Sequence, residues 1–165
     1  MTSQEALEKL LPMYGDYYTI KTENATAPFA AEAECLVKDE QLTAFRLVKI
    51  SSVVSREIVF FATVGQLEEA QAQTLCETAW QEGLKRTEPG PNHRNTDTVL
   101  ILLAEQVSPA AARRIRKLHR TKNYRFSFHG WSVLRVVAIE TSSGKMTVNR
   151  MGQSLKKLFG NINFL

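Results

Sequence analysis

The chain has 165 residues, 44% of them hydrophobic and 23% charged, a composition that excludes collagen-like, disordered and disulfide-scaffold proteins. A chain of this length buries roughly 70% of the surface it would expose unfolded, so it needs no disulfide or metal to hold a core. The formal net charge of +4 conceals a split, because residues 1–82 balance at −7 and residues 83–165 at +11.

Thr2 and Glu5 have the spacing of a capping box, in which the two side chains satisfy each other's free backbone N–H groups. A helix is predicted to follow to about Leu11, ended by Pro12 and Gly15. Residues 16–64 read as strands. In the clearest, Phe29, Ala31, Ala33, Cys35 and Val37 alternate with Glu32, Glu34 and Lys38, which predicts an apolar row in the core and a charged row in water. Residues 42–49 and 58–64 continue the pattern, with 38–41 (KDEQ) as the expected hairpin turn and 51–55 as a second polar break.

From Gln66 the period changes. Ala72, Leu75, Cys76, Ala79 and Trp80 follow the spacing of one helix face, so a helix is expected to about Lys85. Residues 88–95 (EPGPNHRN) form the most evident loop. This loop separates the acidic half from the basic half, but the strands before it are too few to close a sheet alone. A single domain over residues 1–165 is therefore expected.

Residues 98–104 (TVLILLA) are apolar on both faces and read as a central strand. Ser108 as N-cap and Pro109 in the first turn start a helix to about His119, with Ala111, Ile115 and Leu118 inward. Tyr124, Phe126 and Phe128 alternate with Arg125, Ser127 and His129, which predicts another strand. Residues 133–140 and 145–148 form a hairpin about a Ser-Ser-Gly turn. Asn149 is expected to cap a last helix with Met151, Leu155, Leu158 and Phe159 on one face. The element order predicts an α+β fold, with helices packed on a mostly antiparallel sheet.

The strongest compositional feature is the run from Arg113 to Arg125. Arg113, Arg114, Arg116, Lys117, Arg120, Lys122 and Arg125 make seven basic residues in thirteen. Phosphate is the natural counter-ion for such a patch, and Tyr124, Phe126 and Trp131 just beyond it could stack on unpaired bases. A solvated helix face followed by a core strand explains the same residues, as does pairing with an acidic protein surface. That surface could be the chain's own acidic half, within the fold or across a homodimer.

Chemistry-bearing constellations are sparse. Glu32 and Glu34 share one strand face, about 7 Å apart on the standard rise, and Asp97, Glu140 and Lys145 lie near predicted strand ends. No acidic triplet falls at a nuclease spacing, and charged residues guarding strand edges explain these acids as well. His93, His119 and His129 are not spaced for a shared metal, and His119 is expected to face the negative end of a helix dipole. Nucleophile elbows, P-loops and dinucleotide fingerprints are lacking. Cys35 and Cys76 sit on apolar faces and read as buried reduced thiols. No cofactor and no metal are expected.

Residues 1–11 carry one Lys and two Glu and do not read as a signal peptide. The longest apolar run, residues 99–104, is far short of a membrane span. A soluble cytoplasmic protein without a membrane partner is expected.

The stretch 123–157 carries a Phe-x-Phe-x-Gly-Trp core (Phe126, Phe128, Gly130, Trp131), then Leu134-Arg135 and Val148-Asn149-Arg150-Met151-Gly152 before Leu155-Lys156-Lys157. It resembles a small bacterial family of unknown function, found mostly in Gram-positive anaerobes. The resemblance implies a compact cytoplasmic domain and carries over no activity, cofactor or catalytic residue. The residues themselves favour a non-enzymatic domain that uses the basic helix 108–119 and its exit to bind nucleic acid or another polyanion. Self-association of the acidic and basic halves is the alternative, and a metal-dependent phosphodiester enzyme a further one.

Overall fold

The computed structural model describes the backbone of residues 1–42 and 49–164 and the side chains of residues 1–38 and 53–164. In chain order the elements are α1 (Ser3–Leu10), β1 (Thr19–Lys21), β2 (Ala31–Leu42), β3 (Lys49–Leu67), α2 (Glu69–Arg86), β4 (His93–Val107), α3 (Pro109–Lys117), β5 (Thr121–Asn123), β6 (Trp131–Glu140), β7 (Lys145–Val148) and α4 (Gln153–Phe159). Among the described residues the fold is α+β, a seven-strand mixed and mostly antiparallel sheet with four helices packed on it.

Strands run β1-β2-β3-β4-β6-β5, with β7 also on β6. The two helical crossovers, α2 and α3, make β3, β4 and β6 parallel to one another, while every other pairing is antiparallel. Residues 98–104 are the middle of β4 and are buried on both faces, as their unbroken apolar run predicts. On one face, Ile58, Phe60, Leu100, Leu102 and Leu134 meet α2 and α3 through Leu75, Trp80, Ala111 and Ile115. On the other, Val59, Phe61, Ile101, Leu103 and Ile139 meet α1 and α4 through Leu7, Leu10, Leu155 and Phe159.

The capping box of α1 is present in both directions, and Ser108 caps α3 through the Ala111 N–H. Other local signals are overridden by pairing. Residues 38–41 continue β2, and 51–55 continue β3, because each polar stretch faces the other across an antiparallel ladder. Ladder bonds outweigh the weak strand preference of such residues. The expected strand at 42–49 lies mostly outside the described residues. The Pro/Gly loop is shorter than expected, since His93 and Asn95 already pair with β3.

Three expectations about burial are corrected. Cys35 is only partly buried and Val37 is exposed, since the buried row of β2 ends at Ala33. Glu32, assigned to the wet row, is buried beneath the C-terminal end of α2. There Arg86 reaches both carboxylate oxygens at 3.2 Å. The expected apolar face of α4 is also narrower, since Leu155 and Phe159 are buried and Leu158 is exposed.

Asn149 does not cap a helix with its side chain. Buried completely, it accepts a hydrogen bond from the Val136 N–H and donates one to the Leu134 carbonyl, both 2.9 Å. The side-chain amide thus acts as a piece of strand on the edge of β6, between its pairings with β5 and β7. Gly152 follows closely because a Cβ there would lie 2.5 Å from the Val136 carbonyl oxygen.

Candidate functional site

The basic run begins on α3. Ala111, Ala112 and Ile115 turn inward, which leaves Arg113, Arg114, Arg116 and Lys117 exposed on the outer face. Arg114, Arg116 and Lys117 occupy the last turn, where cations meet the negative end of the helix dipole. His119 falls beyond the Leu118 C-cap, exposed, and so outside the helix in which a dipole role was expected.

Two of the seven cations are spoken for within the chain. Arg114 pairs with Glu69 at 3.0 Å and Arg120 with Glu77 at 3.5 Å, both acids belonging to α2. Lys122 lies 5.4 Å from the Tyr124 ring centroid, a cation–π distance. Among the described residues, no acidic side chain pairs with Arg113, Arg116, Lys117, Lys122 or Arg125. A hollow of about 230 Å³ between the two helices is lined by Glu69, Ala110, Arg113, Arg114 and Lys117.

The expected strand at 124–128 does not form. Asn123 and Trp131 are paired across β5 and β6, so the seven residues between them must reverse the chain. They do so with three successive residues in the left-handed region, Arg125 (φ 47), Phe126 (φ 53) and Ser127 (φ 73). Such residues cost about 1–2 kcal/mol each. Hydrogen bonds close the turn, from the Tyr124 N–H to the Gly130 carbonyl at 2.9 Å and from the His129 N–H to the Tyr124 carbonyl at 3.1 Å.

His93 anchors this turn from β4. Its Nδ1 lies 2.7 Å from the His129 carbonyl oxygen, which can only accept, so Nδ1 carries the proton. In the neutral ring, Nε2 then accepts from the Thr96 hydroxyl at 2.9 Å. Gly130 lets the chain pass, because with φ +84 its missing Cβ would sit 2.4 Å from His93 Nδ1. Tyr124, partly buried, closes the network through Ser132 Oγ at 3.0 Å, and that hydroxyl also meets Thr87 at 3.2 Å.

The outcome is an aromatic surface rather than a core row. Phe126 is 96% exposed, Phe128 82% and Trp131 40%. Alternation with polar residues was the signal for a core strand. The pairing that forbids it is set by β6, which lies beyond the alternating stretch.

The acids considered for metal chemistry are not brought together. Seven residue steps along the parallel strands separate the level of Asp97 from that of Glu140, about 23 Å at the usual rise. Glu34 pairs with Arg56 at 3.4 Å and Asp97 with Arg135 at 2.9 Å. Glu140 accepts from the Val107 N–H and from Ser143, bonds that hold its carboxyl below the usual range. Among the described residues, no three His, Cys, Asp or Glu side chains are grouped to hold a metal ion. His93 and His129 meet only through the turn carbonyl, and burial pushes the Cys76 thiol up to about 12.

One polar row escaped sequence reasoning. Glu57 and Asp97 are direct neighbours on β3 and β4, with Tyr18 donating to Glu57 at 2.8 Å. Burial, opposed by the Tyr18 bond and helped by Asp97, holds the Glu57 carboxyl above its ordinary value. Only the register of two long strands aligns these residues, and their separation in sequence hides it.

Comparison with known proteins bears on the resemblance read from the last third of the chain only in that it finds a domain of unknown function, over nearly the whole chain. No curated protein and no solved structure matches the chain. No helix of the described residues is long and apolar enough to cross a membrane. A family model described as a domain of unknown function, DUF8052, matches residues 2–161, and the chain belongs to that family.

Proposed function

We propose that this chain is a non-enzymatic binding domain of the bacterial cytoplasm that holds nucleic acid on the outer face of α3 and the hairpin after it. The supporting observation is the set of five exposed cations, Arg113, Arg116, Lys117, Lys122 and Arg125, that lack an acidic partner among the described residues and follow one another along the chain from α3 into the hairpin. In the hollow beside α2, Glu69 is matched by Arg114, which leaves Arg113 and Lys117 to seat a phosphate. Arg114 and Arg120 are already neutralised by α2, so they position the surface rather than carry the ligand.

Those same pairs weigh against assembly through the charge split, since part of the acidic half is matched within the chain. The test is fluorescence anisotropy of a labelled 20-nucleotide oligonucleotide across a salt series. If all five cations contact phosphates, the slope of log K against log salt approaches about −3.5 for a single strand, at about −0.7 per phosphate. Reversing Arg113, Arg116 and Lys117 to Glu should remove most of that slope. Indistinguishable binding by the wild type and this variant would refute the proposal, as would a dimer that forms only at low salt and binds no oligonucleotide.

A further inference from the structure

Resting on that reading, we infer that the ligand is single-stranded and that its bases stack on Phe126 and Phe128. A loop that serves only to reverse the chain would bury its phenyl rings or carry polar residues instead. Here the two rings stand almost fully in water, on a backbone held in the left-handed region over three residues. The turn is fixed from behind by His93, by its own closing hydrogen bonds and by the close passage of Gly130. Rings presented this way lose little freedom on binding, because the backbone that carries them is already ordered.

Charge complementarity selects the partner. Lys122 and Arg125 precede the rings within the same hairpin, Lys122 lying over the Tyr124 ring, and Lys117 ends α3 just before them. Alternation of cations with planar rings matches a strand of phosphates and unpaired bases, whereas the bases of a duplex are already stacked on one another. Every exposed large apolar side chain between residues 119 and 135 is aromatic. The exposed aliphatic ones, such as Leu36, Val37 and Leu158, lie on other elements. A surface of rings without aliphatic chains suits bases better than it suits lipid tails.

The test compares a 12-nucleotide single strand with a hairpin duplex of the same composition, using the full chain, the F126A/F128A variant and vesicles containing phosphatidylserine. The wild type should prefer the single strand, with quenching of Trp131 fluorescence on binding. Phe126→Ala with Phe128→Ala should weaken single-strand binding at least about tenfold, from the loss of stacking, and leave duplex binding within about twofold. Circular dichroism should be unchanged, since neither ring is part of the core. Equal affinity for strand and duplex, or an unaffected double variant, would overturn the inference and leave the charge-based reading standing. Binding to vesicles in place of either oligonucleotide would overturn both.

Discussion

Arg86→Met isolates the most consequential ion pair of the fold. Its guanidinium meets both oxygens of Glu32 at 3.2 Å, the Thr26 hydroxyl at 2.8 Å and Glu82 at 3.2 Å, and lies 5.3 Å from the Phe60 ring centroid. Without it, Glu32 stays buried with the Thr26 N–H at 3.2 Å and Lys21 at 3.8 Å. Breaking a buried pair from one side costs about 3–5 kcal/mol. Because the Arg86 side chain is one-fifth exposed, about 3 kcal/mol is the appropriate figure. At roughly 2–4 °C per kcal/mol for this length, the melting temperature should fall by about 6–12 °C.

The double variant Glu32→Gln with Arg86→Met leaves no buried charge at that position and should recover most of the loss. The pH dependence gives an independent check. Burial alone would raise the Glu32 carboxyl, but the bonds from Arg86 and Thr26 outweigh it and hold the carboxyl below its ordinary value. A lowered carboxyl stabilises the fold above its unfolded value, about 4.3, and that contribution is lost as pH falls through the folded value. Urea titrations from pH 6 down to 3 should show this loss in the wild type and a shallower one in Arg86→Met. A single variant within about 1 kcal/mol of wild type, or a double variant worse than the single, would refute the reasoning.

Two further changes test the packing of each sheet face. Thr98 Oγ1 is completely buried without a hydrogen-bond partner among the described residues, facing Gly83 of α2 at the place a Cβ there would occupy. Thr98→Val keeps the shape and removes the unmet hydroxyl, so it should stabilise by about 1 kcal/mol, readable as a rise in melting temperature. On the opposite face, the raised Glu57 carboxyl makes the fold most stable below the ordinary Glu value and less stable as pH rises through the folded value. Glu57→Gln can still accept from Tyr18 and should flatten that decline, so an unchanged pH profile would count against the burial argument.

Local chemistry was readable wherever a few adjacent residues settle the outcome. The Thr2–Glu5 box, the Ser108-Pro109 start, the apolar face of α2 and the central strand at 98–104 each depend on spacing within one element, and each is present. Reading failed where a distant partner decides. Glu32 was assigned to water because alternation says which residues share a face, not what covers that face. The end of α2, 54 residues away, turned the wet row into a buried ion pair. Residues 38–41 looked like a turn until β3 paired with them.

The candidate site divides along the same line. The cations from Arg113 to Arg125 and their number could be read from the sequence, since charge needs no partner to be seen. Which of them remain unpaired depends on the acids of α2, and whether Phe126 and Phe128 are core or surface depends on the pairing of Asn123 with Trp131. A strand and a tight reversal can share one alternating pattern, because alternation describes side chains while the reversal is imposed by backbone register between distant residues. The sequence by itself therefore determined the fold class, the charge split and the location of the basic run. Only the tertiary structure decided that the run ends in exposed rings, because only there does β6 dictate where the chain must turn back.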